Sequence, residues 1–364
     1  MIKKKLYLIL NPFRKDNQFI SFYRTILSSI AVVLFFSVSP IIAKGLKNLI
    51  ISNKIVVNYS GITFDQYVKS SIEKETNNEK RKFEKIKNIF ADIDFFNTDS
   101  EGSNSSRLSA ITIEQLFKDT NYDLNKVRDT KMVNIGNSID HLPKEIKNIE
   151  SVKKRKKLFI QIVLPLIVEE NMKIRLDRKK LFSILNKNVL SVQDEKWLEK
   201  KFQQYGVKNK SLFVLKIRMD EIPVSLAIAQ AAKETGWGTS RFAQDGNALF
   251  GQWTWDGDGM KPAKLDANSN HKVAKFKVLK ASVRAYQRNL NTHSSYMKFR
   301  KERAIQRDNE DKLDSLKLVN FLNKYAETGN EYIKVLKLII KQNSLTDFDD
   351  VKILPTSKKL KKII

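Results

Sequence analysis

A short run of small and apolar residues, from Pro223 to Thr235, most constrains how this chain can fold. Proline suits the first turn of a helix, and glycines such as Gly236 and Gly238 are typical of a helix end. Between them, one set of side chains recurs at helical spacing, at Val224, Ala227, Ile228, Ala231 and Thr235. The pattern therefore predicts a helix with a mostly small, apolar face.

Glu234 lies in the last turn of this predicted helix. The negative end of the helix macrodipole and the unpaired carbonyl groups there disfavour an ionised carboxylate. Partial desolvation by Trp237, Phe242 or Phe250 would raise its pKa further. A carboxyl group with a raised pKa can donate a proton near neutral pH, so Glu234 is a candidate general acid. The alternative is a solvated glutamate at a helix end.

The residues around Glu234 resemble those of a known family. The run AQAAKETGWGTS (229–240), followed by GNALFGQW (246–253), resembles the bacterial glucosaminidase family, which includes flagellar peptidoglycan hydrolases and the Bax proteins. The resemblance covers about residues 126–346. It implies a mainly helical α+β fold, a lysozyme-like helical domain with a small β-lobe. It also implies an endo-β-N-acetylglucosaminidase that cuts peptidoglycan with Glu234 as general acid.

A second catalytic group is harder to find. Glycoside hydrolysis usually needs one to stabilise or capture the sugar carbon. No glutamate occurs between Thr235 and Lys301, so the β-lobe glutamate of some relatives has no counterpart here. The available acids are aspartates, at Asp245, Asp256, Asp258 and Asp266. Alternatively, the N-acetyl group of the substrate acts as nucleophile, oriented by Tyr325, whose Tyr-Ala pair resembles the closing segment of the family.

Binding a glycan strand needs rings against the apolar faces of sugars and amides for their hydroxyl groups. The candidate rings are Trp237, Phe250, Trp253, Trp255 and Tyr286, and the candidate amides are Gln230, Asn247 and Gln252. For Trp237 and Phe250 the alternative is packing beneath the site. Because a second carboxylate is not evident, the alternative function is a catalytically impaired peptidoglycan-binding or scaffolding module of the same fold.

The sequence predicts neither a cofactor nor a metal. An EF-hand loop has a glutamate six residues after its glycine, whereas the position six residues after Gly259 in the DGDG turn is Leu265. The three histidines lack zinc-ligand spacing, and the chain contains no cysteine.

An uncharged apolar segment occupies residues 25–43, after a basic leader over 1–24. Its length is close to the ~20 residues that cross a bilayer as a helix. The basic leader favours a single-pass signal anchor, with the amino terminus in the cytoplasm and the catalytic domain in the periplasm of a bacterium. The alternatives are a cleaved signal peptide and a buried soluble helix.

The rest of the chain is predicted to comprise a tether over 44–125, a helical part of the resembling region over 126–204, a catalytic domain over 205–347 and a basic tail over 348–364. The apolar run 158–168 is short and flanked by charge, so it predicts a core helix, which Pro165 kinks or divides. Residues from Val351 onward are expected to fray.

The net charge of +27 suits an anionic partner, which can be nucleic acid, a membrane surface or a wall polymer. The basic residues are spread along the chain, and the predicted membrane span argues against nucleic acid. The predicted partners are therefore peptidoglycan glycan strands and, through the amino-terminal helix, the inner membrane. The sequence favours no particular oligomeric state.

Overall fold

The computed structural model describes residues 89–93, 107–254, 259–261, 272–309 and 312–354. Within these residues the protein is mainly helical with a few short strands, which confirms the predicted α+β class. The helices are α1 (Ala110–Asp119), α2 (Leu124–Thr130), α3 (Val152–Leu185), α4 (Val192–Gln204), α5 (Leu212–Arg218), α6 (Val224–Thr235), α7 (Arg241–Gly246), α8 (Leu279–Thr292), α9 (Met297–Asn309), α10 (Ser315–Leu318) and α11 (Asn330–Gln342). The strands are β1 (Met132–Val133), β2 (Trp253–Thr254), β3 (Gly259–Met260), β4 (Lys272–Ala274) and β5 (Lys352–Ile353).

Helix α6 is the predicted small-residue helix, and it lies at the centre of the core. All of its residues except Lys233 and Glu234 are buried. It packs against α3, α11 and the short 3-10 helix Leu345–Phe348. Gly236 ends the helix with a φ of 57°, a left-handed conformation that glycine adopts without the penalty of a Cβ atom.

Helix α3 is the long support on which α6 rests. Its residues from Leu158 to Asn171 are all buried, which confirms the predicted core helix. The helix continues through Pro165, so proline does not end it there. Proline has no N–H to donate to the carbonyl of Gln161, and the hydroxyl of Tyr122 donates to that carbonyl instead, at 2.9 Å.

The core reaches further along the chain than the predicted boundaries. Ala110 and Phe117, which fall in the predicted tether, are buried in the same cluster as α6. At the other end, β5 pairs in parallel with β1, and Val351 and Ile353 are buried. The expected fraying from Val351 is therefore wrong for residues 351–353.

A small antiparallel sheet follows α7 in the chain, in the order β2-β4-β3. Trp253 pairs with Val273, and Gly259 pairs with Ala274. Residues 255–258 and 262–271, which include Trp255, Asp256, Asp258 and Asp266, lie outside the described residues.

Among the described residues, no helix combines the length and the apolar composition that crossing a membrane requires. The predicted anchor over 25–43 and its leader over 1–24 lie outside the described residues.

Candidate active site

Glu234 lies at the end of α6, where the helix comes out of the core. Its Oε1 atom accepts a hydrogen bond from the hydroxyl of Tyr332, on α11, at 2.9 Å. Its other oxygen, Oε2, faces Gly251, because a methyl group placed on Gly251 would lie 3.5 Å from it. The carboxyl group therefore sits between α11 and the backbone that leads into β2.

Burial raises the pKa of Glu234, although the hydrogen bond from Tyr332 and the charge of Lys233 act in the opposite direction. This direction agrees with the rise in pKa that the sequence predicts, and desolvation is its largest cause. Among the described residues, no carboxylate contributes to this shift. Asp245, the candidate aspartate within the described part, is exposed on α7.

A chain of hydrogen bonds leads from Tyr332 into the core. The side-chain amide of Gln230 donates to the oxygen of Tyr332 at 3.1 Å. The carbonyl of the same side chain accepts from the hydroxyl of Tyr286, on α8, at 2.7 Å. Gln230 and Glu234 are four residues apart on α6, so they present their side chains on the same face of the helix.

Stacked rings fix this chain of hydrogen bonds in place. Phe250 stacks on Tyr286 with ring centroids 3.9 Å apart, and Tyr325 stacks on Tyr332 at 5.6 Å. The hydroxyl of Tyr325 donates to the backbone carbonyl of Phe250 at 3.0 Å. The aromatic rings thus connect α8 and α11 to the segment that passes Glu234.

The structure brings Glu234 together with four other predicted site residues, Gln230, Phe250, Tyr286 and Tyr325. Gln230 and Tyr286 are 0% exposed, and Phe250 is 2% exposed. Side chains this buried present almost no surface to a sugar in this structure, and for Phe250 this agrees with the alternative of packing beneath the site. They hold the groups around Glu234, while Tyr325 is only partly buried.

Asn247, a predicted sugar contact, makes hydrogen bonds within the fold. Its amide donates to the backbone carbonyls of Phe276 and Lys277, at 3.0 and 3.1 Å. Its side-chain oxygen is 3.1 Å from Nδ1 of His141. Asn247 also ends α7 with a positive φ of 50°. It therefore fastens the turn after α7 to the segment between β4 and α8.

Trp237 and Gln252 remain partly accessible. The edge of the Trp237 ring packs on Phe159, with ring centroids 5.9 Å apart, and the ammonium group of Lys156 lies 4.8 Å from the Trp237 ring centroid. The Oε1 atom of Gln252 is buried without a hydrogen-bond partner among the described residues. Trp253 lies on β2, and Asp258 lies outside the described residues.

Tyr332 is the functional candidate that sequence reasoning missed. It shares one face of α11 with other buried residues, Ile333, Leu336 and Ile340. On sequence alone it therefore looks like a core residue. A polar hydroxyl on an otherwise apolar stripe is the one signal that pointed to a buried partner.

Two comparisons with known proteins match this part of the chain. The model of the glucosaminidase family, described as mannosyl-glycoprotein endo-beta-N-acetylglucosaminidase, matches residues 213–345. Protein bax of Escherichia coli K12 is 33% identical over 196 residues, which cover 52% of this chain and 70% of that protein. No solved structure gives a significant match. The family match includes Gln230, Glu234, Tyr286 and Tyr332.

Proposed function

This chain belongs to the glucosaminidase family as a Bax-type protein, and from that premise we propose that it is a peptidoglycan hydrolase of the endo-β-N-acetylglucosaminidase type. Glu234 is the general acid of a lysozyme-like catalytic domain. The observation that carries the proposal is the partly buried carboxyl group with a raised pKa, held through one oxygen by Tyr332 and open at the other beside glycine.

The hydrogen bonds around Glu234 support the assignment of the catalytic proton to Oε2. Tyr332 accepts from Gln230 and donates its only hydrogen to Oε1 of Glu234. Oε1 is thereby occupied as an acceptor, so the proton of the neutral acid is carried by Oε2. This oxygen faces Gly251, where the glycosidic oxygen can approach. Oε2 gives up its proton as the bond between the anomeric carbon and the glycosidic oxygen breaks, and the leaving sugar departs as an alcohol.

The second half of the reaction is assigned to the substrate. The oxygen of its N-acetyl group attacks the anomeric carbon, and water then opens the cyclic intermediate. Tyr325 supports this step, because its hydroxyl donates to Phe250 and its oxygen stays able to accept from the N–H of the acetamido group. Asp258 is the alternative nucleophile or stabilising group.

Mass spectrometry of digested peptidoglycan tests this proposal. Purified sacculi incubated with the full chain should release fragments that end in reducing N-acetylglucosamine. Fragments that end in reducing N-acetylmuramic acid would show a muramidase and contradict the assigned bond. Product without a reducing end, in its anhydro form, would contradict hydrolysis.

The second candidate is a peptidoglycan-binding or scaffolding module of the same fold. It is favoured by the sequence, which has no glutamate between Thr235 and Lys301 to serve as the second catalytic carboxylate. In that case the protein would sediment with sacculi and generate no new reducing ends.

We further propose that residues 25–43 anchor the protein in the bacterial inner membrane, with the catalytic domain in the periplasm. The uncharged, apolar composition of this segment supports the proposal. Protease added to spheroplasts should digest the catalytic domain, whereas a protected domain would contradict this orientation.

Replacing Tyr332 with Phe should lower kcat while leaving the fold intact. The lost hydrogen bond stabilises the carboxylate that forms in the transition state, and such bonds to charged groups contribute about 1.5–3 kcal/mol, roughly a 10- to 150-fold effect. Because this bond lowers the pKa of Glu234, its removal should also move the alkaline limb of the pH–rate profile to higher pH. Tyr122→Phe is the matched control, since it removes a buried hydroxyl that bonds to Gln161. An unchanged alkaline limb in Tyr332→Phe would contradict the assigned contact.

Replacing Gly251 with Ala should reduce activity by more than the accompanying loss of folded protein accounts for. The added methyl group would lie 3.5 Å from Oε2 of Glu234, in the space assigned to the glycosidic oxygen. The positive φ of 60° adds a strain of about 1–2 kcal/mol. Gly206→Ala, at a φ of 63°, carries similar backbone strain elsewhere and serves as the control. If Gly251→Ala and Gly206→Ala lose the same activity per folded molecule, the glycosidic oxygen does not approach Glu234 beside Gly251.

A further inference from the structure

Five consecutive basic residues open helix α3, in the run KKRKK (153–157). The first turn of this helix contains no acidic residue. Cations at a helix amino terminus face the positive end of the macrodipole, which costs stability. The run is therefore poorly suited to stabilising the helix, and the contacts of each side chain indicate what it does instead.

Three of the five cations are engaged within the protein. Lys154 pairs with Glu114 at 3.1 Å, and Lys157 pairs with Asp123 at 2.7 Å. Arg155 donates to a backbone carbonyl at 3.0 Å. Lys153 and Lys156 have no carboxylate within ion-pair distance among the described residues. Lys153 is exposed, whereas the ammonium group of Lys156 lies over the ring of Trp237.

Trp237 holds this ammonium group close to the candidate active site. It follows Glu234 by three residues and has a positive φ of 62°, which is rare for a bulky side chain. Backbone strain of this kind concentrates at functional sites. Lys233, which directly precedes Glu234 in the last turn of α6, is exposed, and its charge lowers the pKa of Glu234. Two ammonium groups and one partly exposed ring thus lie around the end of α6.

We propose that Lys156, Lys233 and Trp237 form a subsite for the carboxylates of the stem peptides of peptidoglycan. The inference rests on the proposed function, because it assigns the substrate of the same site. Stem peptides branch from the muramic acid residues next to the bond that is cut, and they carry free carboxylates. In this subsite the contacts to the carboxylate come from side-chain ammonium groups. The backbone N–H of Lys154, at the start of α3, is already bound to the hydroxyl of Ser151. The subsite makes the protein prefer peptide-bearing peptidoglycan to an uncharged glycan.

Kinetics on two substrates test this subsite. Lys156→Gln should raise KM for solubilised, peptide-bearing peptidoglycan roughly two- to fivefold, as expected for one partly solvated ion pair. Its kcat should stay unchanged, and its KM should depend less steeply on salt than that of the wild type. On neutral chito-oligosaccharides the variant and the wild type should behave alike. Lys154→Gln is the matched control, because it removes the same charge from a lysine that is paired with Glu114.

Two results would overturn the subsite. An equal rise in KM for Lys154→Gln and Lys156→Gln would indicate a general charge effect. An equal loss on neutral oligosaccharides would indicate that Lys156 only supports the packing of Trp237. If the wild type cleaves neither substrate, the proposed function fails, and co-sedimentation with sacculi still decides the subsite. In that measurement, weaker binding of Lys156→Gln than of Lys154→Gln supports it, and equal binding contradicts it.

Discussion

Replacing Glu234 with Gln should reduce the release of reducing ends from purified peptidoglycan by about 10²- to 10⁴-fold, the usual contribution of a general acid. Glutamine has nearly the same size and can still accept from the hydroxyl of Tyr332, so the hydrogen bonds around the site should persist. What it lacks is the proton on Oε2. The loss should therefore appear in kcat, with little change in the binding of sacculi.

Stability against pH shows whether Glu234→Gln removes a buried acid. Burial raises the folded-state pKa of Glu234 above its unfolded value of about 4.3. In the wild type, ionisation therefore costs stability as the pH rises from the unfolded pKa through the folded one. The variant has no such cost. The difference between its melting temperature and that of the wild type should therefore shift in favour of the variant as the pH rises from 4 towards neutral. Calorimetry at a series of pH values measures this.

Glu331→Gln is the control for the loss of a carboxylate. Glu331 lies on α11 close to Tyr332, is exposed and pairs with Lys334 at 2.6 Å. Its replacement should leave both the activity and the pH dependence unchanged. Undiminished hydrolysis by Glu234→Gln would refute the assignment of the general acid, whereas equal losses in both variants would indicate a general effect of removing a carboxylate.

The sequence was sufficient to predict α6 and the position of Glu234, because both depend on local chemistry. The helix is determined by small apolar residues at helical spacing, a leading proline and a terminal glycine. These features all lie close together in the chain. The raised pKa of Glu234 follows from its place where the helix comes out of the core. None of these features requires knowledge of distant residues.

The partners of Glu234 could not be predicted in this way, because they are far apart in the chain. Tyr332 is separated from Glu234 by 98 residues, and Tyr286 from Gln230 by 56. Gln230 has the chemistry of a sugar-binding amide, and only the packing of α8 and α11 against α6 makes it a buried link. A polar residue inside a helix has a clear role only when its partners are known.

The positions of β5 and α1 in the fold could not be predicted for the same reason. Strand β5 lies in a basic, polar end of the chain and becomes ordered because it pairs with β1, more than two hundred residues earlier. Helix α1 precedes the region of family resemblance, and its buried face completes the core around α3. Tertiary pairing overrides local composition in both cases.

Replacing Asp220 with Asn should lower the free energy of unfolding by about 3–5 kcal/mol, the cost of breaking a buried ion pair from one side. Asp220 is 2% exposed and lies just before α6. Arg178, Arg303 and Arg307 surround its carboxylate, with shortest N–O distances of 3.8, 3.6 and 3.1 Å. Arg303 is fully buried, so the loss of the negative charge would leave a cation without compensation in the core.

Urea denaturation of Asp220→Asn at neutral pH measures this effect, and acid should diminish it. Burial alone would raise the pKa of Asp220, but the three arginines lower it below its ordinary value. Its contribution to stability is therefore present above the unfolded pKa of about 3.9 and is lost as the pH falls through the folded pKa. The gap between variant and wild type should close over that range.

Asp350→Asn is the control for Asp220→Asn, because its exposed pair with Lys312, at 3.2 Å, should contribute only about 0–1 kcal/mol. A similarly small loss for Asp220→Asn would mean that Glu221, 2.7 Å from Arg307, is enough to neutralise the arginines. A large loss has a consequence for the active site. The backbone carbonyl of Asp220 also accepts from Asn291, on α8, at 2.8 Å. The same buried charge then fixes the start of α6, which carries Glu234, against the helix that carries Tyr286.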